Sequence, residues 1–460
     1  MLFNSLPFLY GFLPVTYFVF WRLKDKKARF LWLTVTGYVF YGFWNWKFCG
    51  LMALSTVVSY LAGRGLLAWS APGRRRLCLV LPVAFDLALL GFFKYAGFTV
   101  RSIGRLVEAT GHEWLFTVPN IILPVGISFY TFHTITYIVD SYRRTITPTR
   151  SFFEFSCYVS LFAQLVAGPI VRFRQIEKDL ENLDHADSVR SLDVAWSFFV
   201  IGLVKKVVVA DTLARLINPG FSSVSHLSTL GAWEHILGYS YQLYFDFSGY
   251  SDMAVGLGLM FGLRLPQNFN SPYKAIDIAD FWRRWHISLS TVLRDYLYIP
   301  LGGNRCGRMR TNVNLMVTML LGGLWHGASW TYVTWGGLHG GLLLVNRYAG
   351  RSLLRLPAGV RRAGTFLAVV IGWVFFRCAT IAESWMFIRR MFLWTPGHGE
   401  SWTLLAVVVV AGAVGHLAPN TFEMKHRWGA GGTVLLGIGF VACLILIATG
   451  VKSPFLYFQF

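Results

Sequence analysis

Two histidines stand in stretches otherwise built for oil. His326 lies in "LMVTMLLGGLWHGASWTYVTWGGLHGG" (315–341), with Gly322, Gly323 and Gly327 around it, and His286 lies in "AIDIADFWRRWHISLS" (275–290). Imidazole is the side chain best suited to move protons at neutral pH, with an unperturbed pKa of about 6.5. An ionisable group inside a membrane segment is costly and points to function by default. Small residues beside it let a backbone or ligand come close. The bland alternative for His326 is a core histidine satisfied by its neighbours. His339 follows further along the same stretch, about 220° round an ideal helix, and shares a face with His326 only if that helix breaks.

A polar stripe accompanies them. In "YSYQLYFDFSGYSDMAVGLGLMFG" (239–262), Gln242, Asp246, Gly249 and Tyr250 fall on one helical face. That face points to water, to a polar ligand, or to a hydrogen-bond seam between helices. Around His286, Asp280 and Arg284 have the spacing of a helical ion pair, and His286 and Ser290 share a face by the same rule. Arg283 projects elsewhere, and Trp282 and Trp285 suit a membrane interface. An amphipathic interfacial helix explains the arginines and tryptophans but not His286. The chain carries no HExxH, no phosphate-binding Walker loop, no GxGxxG and no GxSxG elbow. What remains suits acyl transfer, in which a base takes a hydroxyl proton and no metal is needed.

The elements that hold these groups are membrane helices. Of 460 residues, 55% are hydrophobic and only 14% charged, against about 25% charged in a soluble domain. Apolar runs, or cores of them, occupy 2–21, 30–46, 77–93, 121–139, 366–376, 404–414 and 434–448. A bilayer crossing needs about 20 residues, and lipid admits only helices or closed barrels. These runs do not alternate as barrel strands do. The chain therefore reads as all-α and polytopic, one membrane domain with about ten to twelve spans. The net charge of +20 comes from basic residues set between apolar runs, which excludes nucleic-acid binding as the main reading and fits the positive-inside rule. Arg22, Lys24, Lys26, Lys27 and Arg29 follow the first span and Arg74, Arg75 and Arg76 the third. Both loops face the cytoplasm on this reading, which puts the N-terminus outside.

Along the chain, 1–142 holds ordinary spans interrupted by Arg64 and Asp86. Residues 143–193 form a charged stretch around "FFEFSCYVSLFAQLVAGPIVRFRQ" (152–175), which carries Gln164 and a Gly168-Pro169 break between basic flanks. This is expected to be re-entrant, dipping in and returning. Residues 194–345 hold most intramembrane polar groups and read as a catalytic core, and 346–460 returns to plain spans. The six cysteines show no CxxC or Cys/His metal spacing, and most read as small core residues.

At these residues the sequence resembles the membrane-bound O-acyltransferase (MBOAT) superfamily, and within it the alginate O-acetyltransferase branch. The resemblance rests on "LPVGISFYTFHTITYIVDSYRR" (123–144), "AQLVAGPIVRF" (163–173), "GLVKKVVVAD" (202–211), "YSYQLYFDFSGYSDMAVGLGLMFGLRLPQNFNSPY" (239–273), "DFWRRWHISLSTVLRDYLYIPLGGNR" (280–305), "GGLWHGASWTYVTWGGLHG" (322–340), "WVFFR" (373–377) and the terminal "PFLYFQF". It implies the MBOAT fold, with re-entrant and amphipathic helices around a central tunnel. It also implies His326 as the essential catalytic residue and His286 as a second polar site residue supporting donor or acceptor. Gln242, Asp246 and Tyr250 are then candidates for lining the tunnel or orienting substrate. His133 stands where the family pattern has glutamine and joins that group. Arg283, Arg284 and Arg294 could hold phosphates of the donor, or simply anchor the helix at the interface. The relatives take acetyl from cytoplasmic acetyl-CoA, a substrate and not a resident cofactor, and deliver it across the bacterial inner membrane. The receiver is a polysaccharide or a periplasmic SGNH-type acetyltransferase. Acetylation of cellulose or peptidoglycan and D-alanylation of teichoic acid are alternatives in the class. A transporter or flippase without chemistry is the alternative outside it.

Overall fold

The computed structural model describes residues 1–118, 121–166, 168–188 and 191–450. The terminal "PFLYFQF" and Ala167 lie outside the described residues. Among these, the chain is helical with no β-sheet, and a lone bridge joins Leu227 to His398. It divides into two compact units, Met1–Leu192 with Leu257–Pro266, and Asp193–Gly256 with Gln267–Phe460.

The first unit holds α1 (Leu13–Arg22), α2 (Lys26–Asn45), α3 (Cys49–Ala68), α4 (Pro72–Leu90), α5 (Ala96–Ala109), α6 (Ile127–Tyr142), α7 (Phe152–Ser160), α8 (Phe162–Leu165) and α9 (Phe173–Glu181). Asp25 starts α2 by accepting the Ala28 amide at 2.9 Å, the usual remedy for an unpaired first-turn N–H. Asp86 is buried and faces other helices. It accepts from Ser55 Oγ at 2.7 Å and from Thr134 Oγ1 at 2.6 Å, tying α3, α4 and α6 together. The 152–175 stretch is broken at Leu161, whose ψ is 111°, and residues 155–166 are all buried. Gln164 has a local task there. Its amide nitrogen donates to the carbonyl of Tyr158, one of the acceptors that the end of α7 leaves unpaired. Gly37 lets α2 touch this segment, since a Cβ there would sit 1.9 Å from the Ser160 carbonyl oxygen.

The second unit holds α10 (Leu192–Val204), α11 (Asp211–Ser222), α12 (Thr229–Met260, its last four residues falling in the first unit), α13 (Ile278–Arg284), α14 (Ile287–Leu293), α15 (Arg308–His326), α16 (Trp330–Leu353), α17 (Ala358–Arg377), α18 (Ile381–Phe392), α19 (Trp402–Leu417) and α20 (Ala430–Ala448). Helices α10 and α12 cross at Gly202 and Gly249. A Cβ on either would lie 2.5 or 2.7 Å from the other's carbonyl oxygen. Helices α15 and α16 pack still closer, through Gly323 against the Tyr332 carbonyl and Gly336 against the Met319 carbonyl.

Among the described residues, four helical stretches are long and apolar enough to cross a membrane: Lys26–Ala68, Pro72–Ala109, Ala358–Arg377 and Ala430–Ala448. The first contains two twenty-residue helices, α2 and α3. The 32-residue α12 is also long enough, but it carries Glu234, Asp246 and Asp252, and the last two are buried. Hydropathy thus picks out helices that meet lipid and passes over those that hold the polar core.

Candidate functional site

His326 is the last residue of α15. Gly327 turns extended, with φ −164°, and Ser329 caps α16 by accepting the Thr331 amide at 3.3 Å. The helix does break between His326 and His339, and the chain doubles back. Both histidines then border Trp335, with ring centroids 5.1 and 4.7 Å away. His326 is also flanked edge-on by Trp325 and Phe376, each at 5.1 Å, and is only 4% exposed. His339 is fully buried against Phe281 and Trp282, and neither ring nitrogen has a partner among the described residues.

His286 is not inside a helix. Trp285 turns extended after α13, with ψ 127°, and His286 takes a left-handed conformation, φ 43° and ψ 55°, before α14 begins. Residues with a Cβ avoid that region at a cost of about 1–3 kcal/mol, and such outliers gather at functional sites. The shared helical face with Ser290 therefore does not form. The Ser290 amide meets the His286 carbonyl at 3.0 Å, and its hydroxyl goes to the Trp285 carbonyl. The His286 ring is fully buried. It packs edge-on to Phe247 of α12 at 4.7 Å, with Trp325 at 5.8 Å and His326 at 6.3 Å. Two imidazoles from separate elements thus share one aromatic cluster, with Trp325 beside both. Trp285 is buried in the same aromatic cluster, against Phe269 and Trp373, and so does not serve as an interfacial anchor.

The loop joining α12 to α13 builds much of this, and sequence reasoning passed over it. The Asn268 carbonyl accepts the Ile287 amide at 2.9 Å, and the Asn270 amide donates to the Arg284 carbonyl at 2.9 Å. The Asn268 side chain meets His286 Nδ1 at 3.1 Å. Asparagines beside the proline turn of "QNFNSPY" were the available signal, but nothing in their spacing points to a partner 18 residues on.

The polar stripe of α12 divides. Asp246 lies 2.7 Å from Lys206 Nζ, which also reaches Asp211 at 2.7 Å. Lys206 is 1% exposed, so its ammonium is held by carboxylates on both sides, as a buried charge requires. Gln242 and Tyr250 are buried on the same helix, and Gln242 Oε1 has no partner among the described residues. His133 is buried in α6 of the first unit against Tyr158, and its ring nitrogens have no partner among the described residues. Arg284 donates to Asp280 at 3.0 Å, the expected helical pair, and to the Asn270 carbonyl at 3.3 Å. Arg283 is exposed, 3.6 Å from the same carboxylate. Arg294 is exposed and donates to Asp295 at 2.7 Å, a hydrogen bond that pushes its guanidinium further up from its ordinary value.

The comparisons with known proteins follow this geometry. Residues 122–387 match the model of the membrane-bound O-acyltransferase family, a range that includes both histidines. The probable alginate O-acetylase AlgI of Pseudomonas aeruginosa is 45% identical over 396 residues, 85% of this chain and 75% of that protein. That of Pseudomonas putida is 39% identical over 493 aligned positions covering all of both chains. A peptidoglycan O-acetyltransferase of Helicobacter pylori is 38% identical over 85% of this chain and 80% of its own length. With a matching domain over more than half its length and relatives this similar, the chain belongs to the membrane-bound O-acyltransferase family, multi-pass membrane proteins that transfer acyl groups.

Proposed function

We propose that this acyltransferase moves an acetyl group from cytoplasmic acetyl-CoA across a bacterial inner membrane to hydroxyls of an exopolysaccharide such as alginate, by way of a periplasmic SGNH-type acetyltransferase. The observation that carries the chemistry is the buried pair His286 and His326, 6.3 Å apart in a wall of aromatic rings. The similarity to the probable alginate O-acetylases supports the acceptor class.

In this reading His326 is the general base. It takes the proton of an acceptor hydroxyl as that oxygen attacks the thioester carbonyl. The tetrahedral intermediate collapses with loss of the CoA thiolate, which leaves with the proton from His326. Attack by the imidazole itself, giving an acetyl-histidine, is the alternative order. The tryptophans and phenylalanine around the ring keep bulk water from competing with the acceptor. His286 assists from its position beside Trp325. Gln242 and Tyr250 are buried polar groups suited to lining the substrate path, and Asp246 shapes it through its pair with Lys206. Arg283 and Arg294 are exposed and can receive donor phosphates, while Arg284 is engaged with Asp280 and Asn270.

Purified protein supplied with acetyl-CoA, the periplasmic SGNH-type acetyltransferase and an alginate oligosaccharide should release free CoA. A transporter without chemistry would release none. The relative from Helicobacter pylori favours a second acceptor, peptidoglycan. Faster transfer to peptidoglycan fragments than to alginate fragments would select that reading.

A further inference from the structure

The side-chain oxygen of Asn268 meets three groups at once: the backbone nitrogen of Ser288 at 3.2 Å, the hydroxyl of Ser288 at 2.9 Å and Nδ1 of His286 at 3.1 Å. A backbone N–H can only donate, so the atom facing it must be the amide oxygen. This settles which way round the Asn268 amide lies, a choice usually open to a flip. The amide nitrogen then faces Ser251 Oγ of α12 at 3.3 Å. The Ser288 hydroxyl also lies 3.5 Å from Nδ1, but its single hydrogen goes to the nearer Asn268 oxygen at 2.9 Å, so the atom that faces Nδ1 is an acceptor and Nδ1 carries the ring hydrogen. A neutral imidazole has one such hydrogen, so the acceptor lone pair lies on Nε2.

We infer that Asn268 is a positioning residue that holds His286 in the Nδ1–H form, so that His286 works through Nε2 as a hydrogen-bond or proton acceptor. In its neutral form it then cannot donate to an oxyanion. This rests on the acyl-transfer reading above and assigns a direction within it: His286 receives the hydrogen bond of a substrate hydroxyl beside His326. Three features lock the ring in place. The left-handed backbone at His286 orients it, Phe247 packs against it at 4.7 Å, and the Asn268 carbonyl holds the next residue's amide. Asn268 is itself 1% exposed, so solvent does not supply a substitute acceptor.

The direct test is nitrogen NMR on purified protein labelled in the histidine rings, with His286→Gln used to assign the signal. The expected signature is a protonated Nδ1 and an unprotonated Nε2 in the wild type, and an Nε2–H ring in the wild type would overturn the inference. Asn268→Ala should lower kcat about a hundredfold, the order expected for a mispositioned acid–base group, with KM changed little and the Nδ1–H signature lost. Asn268→Asp keeps an acceptor facing all three donors and should retain the signature and recover most of the rate. Asn268→Ala with wild-type kcat and an unchanged ring signal would also overturn it. The ring signal needs no turnover, so it decides the point even if the acyl-transfer reading fails or Asn268→Ala does not fold.

Discussion

Asp246 shows how a polar residue in oil can belong to the scaffold. Its carboxylate and that of Asp211 share Lys206 at 2.7 Å each. Removing one member of a buried pair leaves the partner's charge uncompensated, at a cost of about 3–5 kcal/mol. Asp246→Ala should therefore cut thermal stability and folded yield sharply. Lys206→Met combined with Asp246→Leu and Asp211→Leu, which removes the charges together, should restore much of it. A stable Asp246→Ala protein that had lost only its rate would instead place Asp246 on the substrate. The sequence made Asp246 conspicuous as an ionisable group inside an apolar helix, but its partner sits in a different element and no spacing rule connects them. His326 was legible for the same reason as Asp246, an imidazole among glycines and apolar residues. Asn268 was not, because asparagine in a loop is ordinary and its importance comes only from the three donors folded onto it.

At the scale of elements, the hairpin of α15 and α16 places His326. Gly323 and Gly336 sit where a Cβ would meet the opposing backbone carbonyl oxygens at 2.2 and 2.3 Å. Gly323→Ala or Gly336→Ala must push the two helices apart, and overpacking of this kind costs about 1–3 kcal/mol. Acetyl transfer should fall by at least tenfold in either variant. Gly341→Ala, with nothing within 4 Å of the added atom, should behave as wild type and serves as the control. Normal activity in Gly323→Ala would mean that this contact does not set the histidine's position. Two of the apolar runs match helices closely, 30–46 with Lys26–Asn45 and 434–448 with Ala430–Ala448, whereas the run 121–139 becomes helical only at Ile127. What pattern alone left open was where a continuous apolar stretch reverses. Between His326 and His339 the reversal occupies Gly327 to Ser329 and leaves no gap in hydrophobicity. The same holds at Trp285 and His286, where helical periodicity runs on through a backbone that turns left-handed.

For the whole molecule, the distribution of Lys and Arg predicts orientation. The turn at Lys47 joins α2 to α3, and the turn at Ser70 joins α3 to α4 just before Arg74, Arg75 and Arg76. Both positions are exposed. By the positive-inside rule, Lys47→Cys should react with an impermeant maleimide added to intact spheroplasts. Ser70→Cys should react only after permeabilisation. Cys306, exposed and free, and Cys49, free and half-buried beside Lys47, are first changed to Ser to clear the background. The reverse labelling would invert the membrane orientation and move the donor side with it. The role of His326 is decided by one assay: acetyl transfer from acetyl-CoA by His326→Ala, at membrane levels matched to the wild type. If His326 is the base, the rate falls about 10²–10⁴-fold, the contribution of a positioned acid–base group, with the protein still folded. Transfer at the wild-type rate would contradict it.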